Sequence, residues 1–368
     1  MRRERGRVIL VETLADFDRR LSQGVTSLRG WRLRGIDLRE RSAALGAVGV
    51  GGAMFVGCTF AAGDAEWVEN RGALVMPVIR ESPLDPYRGT LYTPDELYDT
   101  PDYPSCLDAR AYAWSQQGGN GEATLARSLH DHAIDEALER WIKGRHVVGV
   151  MGGHDANRGS EAFRQAADLG HRLAVLPGIT VATGGGPGAM EAANLGARLS
   201  RVSEADLDAA CTRLSTAASF RPSVQAWVDA ARSVLTETTA TAEPTESLGI
   251  PTWHYGHEPP NLFATSIAKY FRNSLREATL LAICGSGVVF LPGAAGTVQE
   301  VFQDACENYY ADPSSLAPMV LVGREYWTQT LPVWPLLTRL AAERDMAELL
   351  HLVDTGAEAA EVIGRYAG

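Results

Sequence analysis

Lysine is scarce in this chain. Only Lys143 and Lys269 occur among its 34 basic residues, so chemistry that requires a lysine Schiff base has just two candidates. Lys143 precedes the predicted sheet and Lys269 lies within a predicted helix, and neither stands in a context typical of cofactor attachment. Lysine-dependent decarboxylation is therefore disfavoured, and we predict no cofactor.

Cysteine is also scarce. The five cysteines are scattered, odd in number and form no CxxC pair, which gives no thiolate metal site and suits a reducing compartment. Residues 1–6 are charged and precede no long apolar run, so no secretory signal is expected. No segment approaches a membrane span of about 20 apolar residues. We predict a cytoplasmic protein without a membrane partner.

Positive charge is in deficit overall. The formal net charge of −11 argues against nucleic acid or an anionic membrane as a general partner. It leaves room for a small anion in a local positive pocket. The 368 residues, 45% hydrophobic and 21% charged, are typical of a well-cored globular protein with two domains or one enlarged α/β domain.

Two common nucleotide-binding motifs are missing. The chain contains no GxxxxGK[ST], which excludes a P-loop NTPase. Residues 150–155, at the first strand-to-helix turn of the predicted sheet, do not fit the GxGxxG of dinucleotide oxidoreductases.

Strands and helices alternate in the second half of the chain. The apolar run 146–151 predicts a buried strand, an amphipathic helix follows it, and residues 179–183 predict the next strand. Such alternation predicts an α/β fold, namely a doubly wound, Rossmann-like parallel sheet with helices on both faces.

The rest of the chain is predicted to form additions to this sheet. Residues 1–122 predict an accessory region that is first β-rich and then rich in proline and tyrosine. Within it Leu33 and Leu38 keep a loose five-residue rhythm, with too few copies to bury a solenoid core by themselves. Residues 123–368 form the predicted nucleotide-binding domain, and 200–245 predict a helical insertion in it.

Residues 291–300 join a predicted strand to a predicted helix through a glycine-rich turn. Backbone N–H groups at such a turn point outward without partners, and the helix dipole adds partial positive charge, so the turn can hold a phosphate. The alternative is that Thr297 and Glu300 form a capping box at the helix start.

Two more turns follow predicted strands, at residues 152–155 and 184–188. In a doubly wound sheet, ligands bind beyond the carboxyl ends of the strands, where the strand order reverses. The three turns should therefore gather at one edge. Two glycine-rich strand-to-helix turns in one sheet predict a ligand with phosphate at one end.

Two of these motifs resemble those of a known family. Residues 184–192, GGGPGAMEA, resemble the GGGxxGxM loop of the Lonely-Guy (LOG) nucleotide phosphoribohydrolases, and residues 292–300, PGAAGTVQE, are similar to their PGGxGTxxE loop. The resemblance covers roughly residues 145–368 and implies an enlarged, divergent branch. It implies hydrolysis of the N-glycosidic bond of a nucleoside 5′-monophosphate to free base and ribose 5-phosphate. It also implies a homo-oligomer, either a dimer or a tetramer.

The resemblance also assigns roles to residues at matching positions. It implies a catalytic pair of Glu300 and Arg276, with Arg272 one helical turn earlier as the fallback for the arginine. Glycosidic cleavage passes through an oxocarbenium-like sugar, which a carboxylate beside the ribose can stabilise. The positions implied to bind the nucleotide and its phosphate are Gly184, Gly185, Gly186, Gly188, Met190, Glu191, Gly293, Ala294, Ala295, Gly296 and Thr297. The turn after the first strand of the predicted sheet adds Gly152 and Gly153 as candidates for the same role.

Three features depart from the family pattern. Ala294 replaces the second glycine of a pair, Gln299 stands where a glutamate is usual, and the usual Arg-Lys pair is absent. These departures favour an alternative function, a nucleotide-binding sensor or scaffold that uses the same pocket without turnover. The retained Glu300 and Arg276 oppose it.

A polar, aromatic loop supplies the predicted base pocket. Its residues Trp253, His254, Tyr255 and His257 are candidates, with Trp253 or Tyr255 stacking on the base. His254 and His257 with Glu258 could instead ligate a metal. We favour hydrogen-bonded histidines in a proline-bounded loop, and so predict no metal site.

Overall fold

The computed structural model describes residues 9–77, 79, 82–117, 121–239, 243–254 and 258–366. The chain divides into two compact units, Met1–Arg88 with Gly119–Ala133 and Gly89–Gly118 with Ile134–Gly368. The division differs from the predicted boundary at 122/123, because residues 89–118 of the Pro/Tyr-rich segment belong to the second unit.

Hydrogen bonds explain why this segment joins the second unit. The backbone N–H of Tyr92 donates to the carbonyl of Ile267 over 2.9 Å, and the N–H of Ile267 donates back over 2.8 Å. The buried hydroxyl of Tyr98 donates to the carbonyl of Pro260. Composition alone marked the segment as irregular and could not show which partners satisfy its polar groups.

The first unit is built on four parallel strands in the order β1-β2-β3-β4. Neighbouring strands pair 22 residues apart (Ile9 with Trp31, Arg32 with Met54) and then 20 apart (Met54 with Leu74). The strands and the three helices between them are β1 (Ile9–Val11), α1 (Leu14–Ser22), β2 (Trp31–Arg34), α2 (Ser42–Gly46), β3 (Met54–Val56), α3 (Asp64–Glu69) and β4 (Leu74–Met76).

These strands stack one above another and bury a core of their own. Leu33 and Leu38, the two leucines of the five-residue rhythm, are both fully buried, as are Val11 and Phe55 from neighbouring strands. The strands thus recur about every 20 to 22 residues along the chain. The five-residue rhythm did not predict the core that these strands bury together.

The second unit contains a seven-stranded, wholly parallel sheet in the order β11-β10-β9-β5-β6-β7-β8. The predicted α/β fold with a doubly wound sheet is confirmed. From β5, the first of these strands in the sequence, successive strands are added on one side up to β8. The next strand, β9, lies on the other side of β5, so the strand order reverses between β5 and β9. The strands are β5 (His146–Met151), β6 (Ile179–Thr183), β7 (Ser247–Gly249), β8 (Ser266–Ile267), β9 (Val288–Phe290), β10 (Met319–Val322) and β11 (Leu350–Val353).

The connections run outward in opposite directions from this switch, and such crossovers place helices on both faces of a parallel sheet. Helix α7 packs against α8 and α14, whereas α12 packs against α11 and α13. The helices are α4 (Pro94–Leu97), α5 (Leu107–Gln116), α6 (Gly121–Ile142), α7 (Glu161–Val175), α8 (Ala189–Arg198), α9 (Glu204–Leu214), α10 (Val224–Thr239), α11 (Asn273–Ala282), α12 (Ala295–Tyr310), α13 (Val333–Ala341) and α14 (Gly356–Tyr366).

The predicted helical insertion consists of α9 and α10, which lie between α8 and β7. Ser203 begins α9 with a capping box: its hydroxyl accepts from the backbone N–H of Asp206, whose carboxylate accepts in return from the N–H of Ser203. Among the helices that the structure describes, none combines the length and the apolar character needed to cross a membrane.

Candidate functional site

A cleft opens at the carboxyl edge of the sheet, where the strand order switches. Because β9, β5 and β6 are adjacent and parallel, the turns that follow them lie at the same edge, as predicted. The cleft has a volume of about 460 Å³. It is lined by Gly152, Gly153, His154, Asp155, Gly184, Gly186, Met190, Pro251, Thr252, Glu258, Arg276, Glu277, Ala294, Ala295, Gly296, Thr297, Gln299 and Glu300.

The turn after β5 is tied to its neighbours on both sides. The N–H of Gly153 donates to the carbonyl of Pro292 over 3.2 Å, and its own carbonyl accepts from the N–H of Ala189 over 3.1 Å. Gly188 adopts a φ of +76°, and a Cβ there would lie only 2.7 Å from the carbonyl oxygen of Gly153. Glycine at this position therefore permits the close approach of two turns that form the floor of the cleft.

The turn after β6 leaves space for an arginine. A Cβ on Gly184 would collide with the guanidinium of Arg276 and with the sulfur of Met190. The carbonyl of Gly185 accepts from the N–H of Asn261 over 2.8 Å, and the N–H of Gly185 donates to the hydroxyl of Thr183 over 3.0 Å. The triple glycine thus provides access for Arg276 and Met190 and is itself held in place by hydrogen bonds.

Helix α12 begins earlier than the predicted capping box requires. It starts at Ala295 with Ala294 as the N-cap residue, and no side chain caps it. Thr297 therefore lies inside the first turn, and Glu300 makes an ion pair with Arg276 in place of a capping bond. The capping-box alternative is wrong, and the carboxylate of Glu300 is available to the cleft.

The first turn of α12 offers amides to a ligand. The N–H groups of Ala295, Gly296 and Thr297 have no carbonyl one turn back in the helix, and within the described residues no other acceptor takes their place. These amides and the positive end of the helix dipole favour an anion. The alanine at position 294 is compatible with this loop, because its φ of −89° is open to any residue.

Arg276 and Glu300 face each other in the cleft. Nη1 of Arg276 lies 3.7 Å from Oε1 of Glu300, and the two side chains are 12% and 15% exposed. Arg276 also donates from Nε to the carbonyl of Ile250 over 2.8 Å and from Nη2 to that of Gly184 over 3.4 Å. Arg272, the fallback arginine, is exposed at the N-cap of α11 and does not line the cleft.

Burial raises the pKa of the Glu300 carboxyl to about 7. Arg276 acts in the opposite direction and lowers this pKa, while the neighbouring carboxylate of Glu277 adds to the rise. The carboxyl therefore exchanges its proton near neutral pH, which suits a general base.

A hydrogen bond beside the ion pair also joins α11 and α12. Nε2 of Gln299 donates to Oε2 of Glu277 over 2.8 Å, and the amide of Asn273 donates to Oε1. Gln299 stands at the position where the LOG pattern usually has a glutamate. It thus orients the carboxylate of Glu277, which the adjacent helix α11 supplies. Sequence analysis missed Glu277, although its place next to Arg276 was a usable signal.

Glu191 does not lie in the cleft. Both its oxygens accept from Nε of Arg158 over 3.1 Å, and both side chains are 1% exposed. Burial raises the pKa of Glu191, and Arg158 opposes that rise. Arg158 also donates to the carbonyl of Trp227 in α10 over 2.9 Å, so the pair anchors the helical insertion. The predicted nucleotide-binding role of Glu191 is corrected to a structural one, whereas its neighbour Met190 does line the cleft.

The predicted base pocket is also corrected. Trp253 is buried: its ring stacks on Phe271 with centroids 4.6 Å apart, and Nε1 donates to Oδ1 of Asp108 over 2.9 Å. It is therefore committed to the core and cannot stack on a ligand. His254 is exposed and does not line the cleft. Tyr255 and His257 lie outside the described residues.

Lys269 belongs to the same buried cluster. It lies between β8 and α11, and not within a helix as predicted. Its Nζ is 2.6 Å from Oδ1 of Asp108, and burial lowers the pKa of the lysine while Asp108 opposes that effect. Near the cleft, the loop contributes Pro251, Thr252 and Glu258 in place of the predicted residues.

Within the described residues, no group of three or more His, Cys, Asp or Glu side chains is placed to hold a metal ion.

Comparison with known proteins identifies no family. No family model matches the chain, and no curated protein does so. Two solved structures of the molybdenum cofactor carrier protein from Chlamydomonas reinhardtii are similar to it at 16% and 18% sequence identity, with TM-scores of 0.36 and 0.37. Each similarity covers 61% of this chain and 98% of the carrier protein. At these TM-scores the likeness carries no argument about function, and membership of the LOG family stays a prediction.

Proposed function

We propose that the protein hydrolyses the N-glycosidic bond of a nucleoside 5′-monophosphate. The observation that carries this proposal is the ion pair of Arg276 and Glu300 inside the cleft, one helical turn from the open amides of α12. The proposed enzyme is a cytoplasmic homo-oligomer, a dimer or tetramer, that acts without a cofactor.

The cleft suits a ligand with an anionic end and a sugar. Its volume of about 460 Å³ falls within the roughly 300–1,000 Å³ common for small-molecule sites. The amides of residues 295–297 would receive the phosphate, which places the ribose next to Glu300. The resemblance of residues 184–192 and 292–300 to two family loops supports this placement, since both segments meet at the cleft.

Glu300 would act as the general base. Its carboxylate takes a proton from a water molecule whose oxygen attacks C1′ of the ribose, and it stabilises the positive charge that develops on the sugar. The electron pair of the C1′–N bond leaves with the base, and Glu300 returns the proton to the departing nitrogen. Free base and ribose 5-phosphate result. With a pKa near 7, the carboxyl can both accept and return this proton at neutral pH.

One observation favours the alternative, a nucleotide sensor without turnover. Two of the guanidinium nitrogens of Arg276 donate to the carbonyls of Ile250 and Gly184, so these donors are used within the protein. An arginine held in this way would support the cleft wall and bind substrate less directly than the hydrolase requires.

Base release distinguishes the two functions. We expect the wild-type protein to release free base from at least one of a panel of nucleoside 5′-monophosphates, measured by chromatography. Glu300→Gln removes the base but keeps the shape of the side chain, so turnover should fall by about 10²–10⁴-fold. The rate for the wild type should rise with pH through a midpoint near 7, because only the ionised form of Glu300 accepts a proton.

The matched control is Glu325→Gln, the same change at an exposed position outside the cleft, and it should keep full activity. Binding of monophosphates by calorimetry without any base release would establish the sensor. Full activity in Glu300→Gln would refute the catalytic assignment.

A further inference from the structure

Glu258 places a carboxylate at the β6 side of the cleft. Its Oε2 lies 3.8 Å from the position that a Cβ would take on Gly186, in the turn after β6. The open amides of α12 belong to the turn after β9, and β5 separates these two strands. A ligand whose phosphate binds at α12 therefore extends past Glu300 toward Glu258 with its other end.

The carboxylate of Glu258 is available to a ligand. Among the described residues it forms no hydrogen bond or ion pair, although it is only partly exposed. The nearby cation Lys269 interacts with it electrostatically. However, the ammonium group of Lys269 is bound to Asp108 at 2.6 Å and lies 4.9 Å from the ring of Trp253.

The surroundings of Glu258 suit a flat heterocycle. Met190 and Pro251 line the same cleft with apolar surface. A mostly apolar wall with a small number of placed polar groups is usual in a site that orients a ring and selects its edge.

We propose that Glu258 selects the base, and that the preferred base presents two adjacent N–H donors, as guanine does. This inference rests on the proposed function, because it takes the ligand to be a nucleoside 5′-monophosphate. An ionised carboxylate only accepts hydrogen bonds, and its two oxygens match two donors side by side. Guanine offers N1–H and the 2-amino group in that arrangement.

The other bases fit this group less well. Hypoxanthine keeps N1–H but lacks the amino group. Adenine and cytosine set one amino group beside a ring nitrogen whose lone pair would face the second carboxylate oxygen. Uracil flanks its single N–H with two carbonyls. A site built to accept hydrogen bonds from a donor disfavours analogues that lack it, because the acceptor that the ligand shields from water is then left without a partner.

Binding affinities test the selection. Calorimetry would measure the Kd of GMP, IMP, AMP and ribose 5-phosphate for the wild type, Glu258→Gln and the control Glu325→Gln. We expect the wild type to bind GMP at least about tenfold more tightly than IMP, which corresponds to about 1.4 kcal/mol. Glu258→Gln should lose this preference and gain affinity for AMP, since a carboxamide accepts from N6 and donates to N1 of adenine. Its affinity for ribose 5-phosphate should not change.

Each outcome separates this inference from the proposed function. Equal affinity of the wild type for GMP and IMP would overturn the selection by Glu258, while base release from either would leave the proposed hydrolysis intact. An equal loss of all four ligands in Glu258→Gln would also overturn it, because a structural defect would explain that result. Selective binding of GMP without base release would support the selection and refute the hydrolase. Failure of every monophosphate to bind would refute both.

Discussion

Two glutamates of this protein have nearly the same sequence context and opposite surroundings. Each follows a glycine-rich turn at a strand end, lies near the start of a helix and pairs with an arginine from elsewhere in the chain. The pair of Glu191 and Arg158 is 1% exposed on both sides. The pair of Glu300 and Arg276 is 15% and 12% exposed and lines the cleft.

The geometry of the two ion pairs differs accordingly. Arg158 approaches both oxygens of Glu191 within 3.1 Å and is anchored to the insertion through the carbonyl of Trp227. Arg276 stays 3.7 Å from Glu300. A tight, desolvated pair leaves no donor or acceptor for a ligand, whereas a loose pair at a cleft wall keeps a carboxylate available for chemistry. The same motif thus gives a structural anchor in one place and a candidate catalytic group in the other.

The largest effect should come from neutralising the anchor. Glu191→Gln leaves Arg158 buried with a neutral partner, and breaking a buried ion pair in this way costs about 3–5 kcal/mol. Glu300→Gln should cost far less stability, because burial already disfavours the ionised form of Glu300. Urea unfolding of the two variants at pH 7 measures the contrast. Similar losses of unfolding free energy in both would remove the distinction between the two pairs.

A smaller effect should follow from filling the space beside the cleft pair. Gly184→Ala introduces a methyl group that collides with the guanidinium of Arg276 and the sulfur of Met190. We expect a loss of about 1–3 kcal/mol in unfolding free energy, and weaker binding of monophosphates because Arg276 is displaced from Glu300. Thermal unfolding and calorimetry would measure these two changes.

The control for this substitution is Gly285→Ala, where a Cβ meets no atom within 4 Å. That variant should keep both stability and affinity. Unchanged binding in Gly184→Ala would show that Arg276 does not need its present position.

An effect that depends on pH concerns a third carboxyl, on α12 one turn beyond Glu300. Asp304 is 5% exposed and its Oδ2 has no partner in the described part of the chain. Burial raises its pKa to about 8, and the neighbouring Glu307 adds to the rise. The folded state therefore holds a proton that the unfolded state releases, so stability is lost as the pH rises from about 4 to about 8.

Asp304→Asn should remove this loss, because the amide stays neutral. Its unfolding free energy should match that of the wild type near pH 4 and exceed it by roughly 5 kcal/mol above pH 8, because about four pKa units separate the folded and unfolded values and each corresponds to about 1.4 kcal/mol. Urea titrations across this range would measure the difference, with the exposed Asp345→Asn as control. A constant difference at all pH values would show that the carboxyl does not titrate in this window.

Several features of the site were predictable from the sequence for a physical reason. Parallel strands place all their carboxyl ends at one edge, so the turns after residues 151, 183 and 290 had to lie at that edge. Glu300 and Arg276 were found because two short loops resemble those of a known family. The predictions failed where orientation mattered: Glu191 and Trp253 point into the core, and Glu258 and Glu277 line the cleft.

The sequence by itself determined the α/β class, the gathering of the glycine-rich turns and the position of Glu300 along the chain. These follow from the local pattern of apolar and glycine residues, which neighbours in the chain supply. Only the tertiary structure decided which side chains face the cleft. That choice depends on the rotation of each helix about its axis, and the rotation is set by distant partners, as Arg158 and Trp227 set it for Glu191.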